Sequence, residues 1–237
     1  MSEALDVQDL LEKASDIERA YDWLAASEVY EKALSLAGND ASKTAPILES
    51  LGYSLYRVAM QAVGVGEFQT RVRQASLHYE KARDCYDGLG GARNVPSVHR
   101  SNAFIALMGY WLGTEVSERK KLIDSCWALA RESLKGFETS GDAVQLATTY
   151  NRLVMGAILS FGLDWNFENR RLTMKEAVEH GEKASGLFPA TGEAIELART
   201  HANTANSLEH FASLLVPDER TLPPKGHRPL SESYRVV

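Results

Sequence analysis

The chain has 237 residues, of which 44% are hydrophobic and 24% charged, and its formal net charge is −6. This composition is that of an ordinary folded protein and argues against intrinsic disorder. The acidic balance argues against a nucleic-acid partner, because general affinity for nucleic acid comes mainly from Lys and Arg displacing counterions around phosphates.

Helical periodicity runs through almost the whole chain. Apolar residues recur three and four positions apart, and alternation with period two is absent, so the sequence predicts an all-α fold. Glycines at 38, 64–66 and 88–91 predict helix ends, since they tolerate positive φ, and Pro96 suits the first turn of a helix. The predicted helices, eight with a ninth at the end, span 4–20, 23–37, 44–62, 67–87, 95–113, 117–139, 142–160, 173–187 and 191–214.

The character of the chain changes near its end. From Val216 onward it holds four of the seven prolines and no helical stripe, so we expect an extended segment on the surface. A second interpretation is that this segment packs on the last helix as a cap. The predicted organisation is a helical domain, 1–214, followed by a proline-rich tail, 215–237.

One short motif recurs at a nearly constant interval. The sequence YEKA at 30–33 returns 49 residues later at 79–82, and related segments follow after 51 residues at 130–133 and after 51 more at 181–184. Positions i, i+4 and i+7 of a helix share a face, and small side chains there let a neighbouring helix approach closely. The interval therefore predicts a repeated packing stripe that begins four residues before each segment, at Ala26, Ala75, Cys126 and Ala177.

The stripe resembles the tetratricopeptide repeat family, whose second helices carry small-xxx-aromatic-xx-small, as in Ala26-xxx-Tyr30-xx-Ala33 and Ala75-xxx-Tyr79-xx-Ala82. Leu146-Ala147-xx-Tyr150 is similar to the pattern of the first helices. The period here is about 50 residues, compared with 34 in that family. The resemblance implies a right-handed α-solenoid of antiparallel helix pairs with eight or nine helices. It also implies a concave face, lined by the first helices, that binds protein or peptide segments.

Signatures of catalysis and metal binding are missing from the sequence. The six histidines form no HExxH or other compact ligand set, and neither GxxxxGK[ST] nor GxSxG occurs. The glycines of Gly88–Arg93 follow a predicted helix rather than a strand, which favours a turn over a phosphate site. We expect no metal, no cofactor and no enzymatic activity.

The most informative polar residues fall on the predicted first helices. Arginines there would favour an acidic peptide or a carboxylate terminus, and asparagine amides could bond a peptide backbone. The predicted peptide-binding residues are Arg57, Arg100, Asn102, Asn151, Arg152, Arg199 and Asn203.

The link at 161–171 carries three aromatic residues. Trp165, Phe167 and Arg170 are of the types that often anchor interfaces, so they are a candidate interface loop. The alternative, which we favour, is that Trp165 and Phe167 fold back over the end of the core.

Nothing in the chain predicts membrane insertion, since the longest apolar run, 153–163, is well short of the ~20 residues that cross a bilayer. Cys85 and Cys126 lack a CxxC neighbour and are interpreted as buried thiols in a reducing compartment, so we expect a cytoplasmic location.

The leading hypothesis for function is a non-enzymatic protein- or peptide-binding scaffold or adaptor. The alternative is a regulatory sensor whose groove holds a small ligand or a signalling peptide. The identity of the partner and the oligomeric state stay open.

Overall fold

The computed structural model describes residues 6–191 and 194–215, and the predicted tail lies outside them. Within these ranges the chain is all-α, as predicted, with no strand. The helices there are α1 Val7–Arg19, α2 Trp23–Ala37, α3 Ala41–Met60, α4 Val65–Leu89, α5 Val95–Leu112, α6 Val116–Ser140, α7 Ala143–Phe161, α8 Phe167–Thr191 and α9 Ala194–Leu214.

Aspartate side chains begin several of these helices. Asp22 and Asp142 accept hydrogen bonds from the N–H groups of residues three positions on, at 3.1 and 3.0 Å, which satisfies donors that have no partner within the helix. Glycines in conformations with positive φ end α2, α4 and α6 at Gly38, Gly90 and Gly141. Local sequence therefore sets most of the helix boundaries.

The largest departure from the predicted boundaries concerns α8, which begins at Phe167 rather than near 173. Asn166 precedes it, and the Asn166 side-chain oxygen accepts a hydrogen bond from Asn169 N–H at 3.0 Å. This is a helix N-cap, so the second half of the predicted insert, from Phe167 onward, is the first part of a helix. The remaining link consists only of residues 162–166.

The helices are stacked in sequence order, and α7 also contacts α9. This arrangement is an all-α helical-repeat solenoid of consecutive antiparallel pairs. The small-residue stripes lie on α2, α4, α6 and α8, the second helices of the pairs, as the 50-residue period predicts. No helix in the described part of the chain is both long and apolar enough to cross a bilayer.

The stripes are the contact surfaces between helices. Ala26, Ala33, Ala75 and Ala82 are fully buried, while Cys126 is half-buried. In the fourth copy glycine replaces the tyrosine, and a Cβ added at Gly181 would collide with the side chain of Thr204 on α9. Glycine in the last stripe therefore permits a close approach of the α8 backbone to the Thr204 side chain.

Candidate functional site

Two adjoining cavities lie between the odd-numbered helices. The first, of about 370 Å³, is lined by polar residues of α1, α3 and α7, among them Glu18, Gln145 and Thr148. The second, of about 310 Å³, is lined mainly by apolar residues of α3, α5 and α7. We call them the polar cavity and the apolar cavity. The residues that line both are Tyr53, Arg100, Asn151, Arg152 and Arg199.

The structure brings together six of the seven predicted binding residues. Four arginines, one each from α3, α5, α7 and α9, line the cavities together with Asn151 and Asn203. Asn102 lies outside both linings. It follows Arg100 by two positions on α5, which turns it about 200° around the helix axis, so the structure does not bring it to the cavities with the other six. The role of the six in binding stays a prediction.

Arg100 is held in a buried ion pair with Glu49 of α3. Its Nε and Nη2 donate to the two Glu49 carboxylate oxygens at 2.5 and 2.6 Å, and its Nη1 donates to Gln145 Oε1 on α7. Although burial alone would lower it, the Glu49 carboxylate raises the pKa of Arg100. Only 5% of Arg100 is exposed. Arg100 is therefore a structural cation that links three inner helices.

Arg152 is close to the same carboxylate but does not share its hydrogen bonds. Arg152 Nη1 lies 3.8 Å from Glu49 Oε1, which is too far for a hydrogen bond. Among the described residues no atom accepts a hydrogen bond from this buried nitrogen. Burial, and then repulsion from Arg100, lower the pKa of Arg152. The guanidinium lies 4.3 Å from the ring centroid of Phe104, which holds it by a cation–π contact.

Arg57 and Arg199 approach the same indole ring. Their guanidinium carbons lie 5.0 and 4.9 Å from the ring centroid of Trp23. Arg199 also lies 5.0 Å from the ring of Tyr21, a non-glycine residue with a φ of 62°, and it donates to the Tyr53 hydroxyl at 3.4 Å. Aromatic side chains near the α1–α2 link thus orient two of the four arginines.

Two of the polar contacts between inner helices join residues about one repeat apart. Glu49 and Arg100 are 51 residues apart, and Asn203 Nδ2 donates to Asn151 Oδ1 at 3.1 Å across 52 residues. Sequence reasoning missed Glu49, although stepping back one repeat from Arg100 would have located it. It also missed Tyr53 and Phe104, which look like ordinary core residues on an apolar helix face.

The apolar cavity lies beside these cations. Its walls include Phe104, Leu107, Trp111, Met155 and Leu159. Half-buried Cys126 also contributes to the lining, and burial raises the pKa of its thiol to about 12, so the group is a neutral, unreactive part of the wall at pH 7. Among the described residues no cluster of His, Cys, Asp or Glu could hold a metal ion.

The candidate interface loop lies away from the cavities. Trp165 is 89% exposed and Phe167 is 53% exposed, so the interpretation that they fold back over the core is wrong. Arg170 contacts the ring of Phe161, with its guanidinium carbon 3.9 Å from the ring centroid. A role of these residues at an interface stays a prediction.

Comparison with known proteins identifies no family. No family model matches the sequence, and no curated protein matches it. Among solved structures, BtubC (BKLC) from P. vanneervenii is similar at 14% identity and a TM-score of 0.48, with 94% of this chain and 84% of that chain covered. A chain of the DHF119 filament is 13% identical with a TM-score of 0.29, covering 92% and 97%. Neither likeness carries an argument about function.

Proposed function

We propose that this chain is a non-enzymatic scaffold or adaptor of the tetratricopeptide-like type, and that its inner face binds a protein or peptide segment bearing carboxylates. The observation that carries the proposal is the convergence of four arginines, from four different helices, on two adjoining cavities. Guanidinium groups bind carboxylates through paired hydrogen bonds. The free thiols Cys85 and Cys126 fit a reducing compartment such as the cytoplasm.

The inner face also supplies groups for a peptide backbone. The Asn151 and Asn203 side chains line the apolar cavity and contact each other. A side-chain amide offers both a donor and an acceptor, which is what an extended backbone requires on each side. An acidic segment lying across this pair would reach the arginines on either side.

Affinity capture with the tagged full chain tests this proposal. We expect the double variant Arg152→Gln/Arg199→Gln to lose partners that the wild type retains. The matched control is Arg73→Gln/Arg83→Gln, which removes the same charge from α4, outside both cavities. Circular dichroism and thermal unfolding would verify that both variants fold. Retention of every wild-type partner by a folded double variant would contradict the proposal.

A second candidate is a regulatory sensor that holds a small ligand. The observation in its favour is the size of the cavities. Their volumes, about 310 and 370 Å³, fall at the lower end of the ~300–1,000 Å³ range that is typical of small-molecule pockets. Native mass spectrometry of the purified chain distinguishes the two. A retained mass of a few hundred daltons would favour the sensor.

A further inference from the structure

We propose that the bound segment is recognised in two parts: a carboxylate that pairs with Arg152, and a neighbouring bulky apolar side chain that enters the apolar cavity. This inference rests on the proposed function and specifies its ligand. It commits to a peptide in which an acidic residue, or the terminal carboxylate, lies beside an aromatic or large aliphatic residue.

The first step is the balance of charge around the apolar cavity. Its lining contains Arg57, Arg100, Arg152 and Arg199, and no carboxylate among the described residues. Glu49, which lines the adjoining polar cavity, forms its short hydrogen bonds with Arg100. The wall of the apolar cavity thus presents guanidinium groups and no carboxylate of its own, so it favours a ligand that brings negative charge.

The second step identifies which arginine is available. The three guanidinium nitrogens of Arg100 all donate within the protein, to Glu49 and Gln145. Arg152 differs, because its Nη1 is buried without an acceptor and lies 3.8 Å from Glu49. A buried donor without an acceptor is costly, and a ligand carboxylate would supply that acceptor.

The third step is the pre-organisation of Arg152. Its guanidinium carbon lies 4.3 Å from the ring centroid of Phe104 and 5.8 Å from that of Tyr53. These contacts fix the guanidinium group before a ligand arrives, so less conformational entropy is lost on binding. The Arg152 guanidinium is therefore already oriented by aromatic rings of the protein itself.

The fourth step is the position of the apolar volume. Arg152 lines both cavities, and Phe104 and Met155 line the apolar one with Leu107 and Leu159. A ligand whose carboxylate reaches Arg152 thus places its adjacent atoms at the apolar opening. A volume of about 310 Å³ suits one large side chain with part of its backbone.

A library of soluble hexapeptides provides the test. Each member carries one fixed Glu, with degenerate neighbours and an amidated C-terminus, and a parallel library has a free C-terminus. After incubation with immobilised full-length protein, sequencing of the retained pool should show enrichment of Phe, Trp, Leu or Met next to Glu. A library with Gln in place of Glu should be retained about tenfold to a hundredfold more weakly.

Two variants separate the two parts. Arg152→Gln should abolish the preference for Glu over Gln. Met155→Trp, which fills the apolar cavity, should abolish the preference for a large apolar residue next to Glu but keep the preference for Glu over Gln. Arg73→Gln is the control. Thermal unfolding of each variant identifies any loss of fold, and if Met155→Trp unfolds, Leu159→Phe provides a smaller filling.

The outcomes distinguish the inference from the function on which it rests. Peptides retained without a preference for Glu, or with an acidic preference that survives in Arg152→Gln, would overturn the two-part model and leave peptide binding in place. Failure of the wild type to retain any peptide, together with no partner in affinity capture, would overturn both. A tightly bound small carboxylate in native mass spectra would overturn the peptide assignment.

Discussion

Arg100 and Arg152 occupy the same inner face but differ in their surroundings. Arg100 donates to two Glu49 oxygens and to Gln145, whereas the guanidinium of Arg152 rests on an aromatic ring with one nitrogen lacking an acceptor. The same residue type thus serves stability at one position and, in our proposal, binding at the other. Stability measurements on substitutions at the two positions should show this difference.

Arg100→Gln should lower the free energy of unfolding by about 3–5 kcal/mol, because it leaves the buried Glu49 carboxylate without its main partner. Arg152→Gln should cost less, about 1 kcal/mol, because it removes a cation–π contact with Phe104 but no hydrogen bond to Glu49. Urea denaturation of both variants provides the measurement. As a control, Glu49→Gln combined with Arg100→Gln should recover most of the loss. Equal destabilisation by the two single arginine variants would contradict this distinction.

At the level of helices, α8 and α9 approach each other closely at Gly181. A methyl group at Gly181 would overlap the Thr204 side chain, whereas one at Gly186, on the same helix, would meet nothing within 4 Å. Gly181→Ala should therefore lower the free energy of unfolding by about 1–3 kcal/mol, because the added methyl group overpacks the contact. Gly186→Ala should raise the free energy of unfolding by up to about 1 kcal/mol, because alanine is the better helix former. Thermal or urea unfolding would measure both, and a stabilising Gly181→Ala would show that α9 can shift away.

The α6–α8 contact depends on an ion pair between second helices. Arg131 Nε and Nη2 donate to the two Glu176 oxygens at 2.8 and 2.5 Å, and His180 lies 3.3 Å from one of them. The hydrogen bond from His180, and then those from Arg131, lower the pKa of Glu176 to about 2 although burial opposes the shift. The folded-state pKa is depressed, so this stabilisation is present above the unfolded pKa near 4.5 and is lost as pH falls toward 2.

Glu176→Gln should therefore lower the free energy of unfolding by about 1–2 kcal/mol at pH 7, with allowance for the partial exposure of the pair. The difference from wild type should shrink below pH 4.5 and vanish near pH 2. Denaturation at a series of pH values measures it. Glu179→Gln, an exposed position on the same helix, should show no such dependence. A difference that persists unchanged at pH 2 would count against the ionic origin.

Across the whole molecule, charge is distributed unevenly. The chain carries a net charge of −6. The linings of the two cavities nevertheless contain more arginines than carboxylates. Arg19 joins the four arginines already described, whereas the carboxylates are those of Glu18 and Glu49. A concave surface of one sign on a protein of the other sign concentrates oppositely charged ligands. The inner face would therefore attract anionic segments that the rest of the surface repels.

The sequence was sufficient for the helices and for the face that carries the arginines. Periodicity and glycines predicted most helix boundaries, and the repeat identified the first helix of each pair. It could not predict the rotation of each side chain about its helix, and for that reason Asn102, predicted together with the other six, lies outside both cavities. Nor could it tell which arginine is paired, because that depends on how α3, α5 and α7 are aligned side by side.

The two contacts one repeat apart differ in how they resist separation of the inner helices. One is an ion pair, Glu49 with Arg100 in the first half, and the other is a neutral amide hydrogen bond, Asn151 with Asn203 in the second half. Charged hydrogen bonds are roughly twice as strong as neutral ones. Under an extending force the Asn151–Asn203 hydrogen bond should therefore break before the Glu49–Arg100 ion pair.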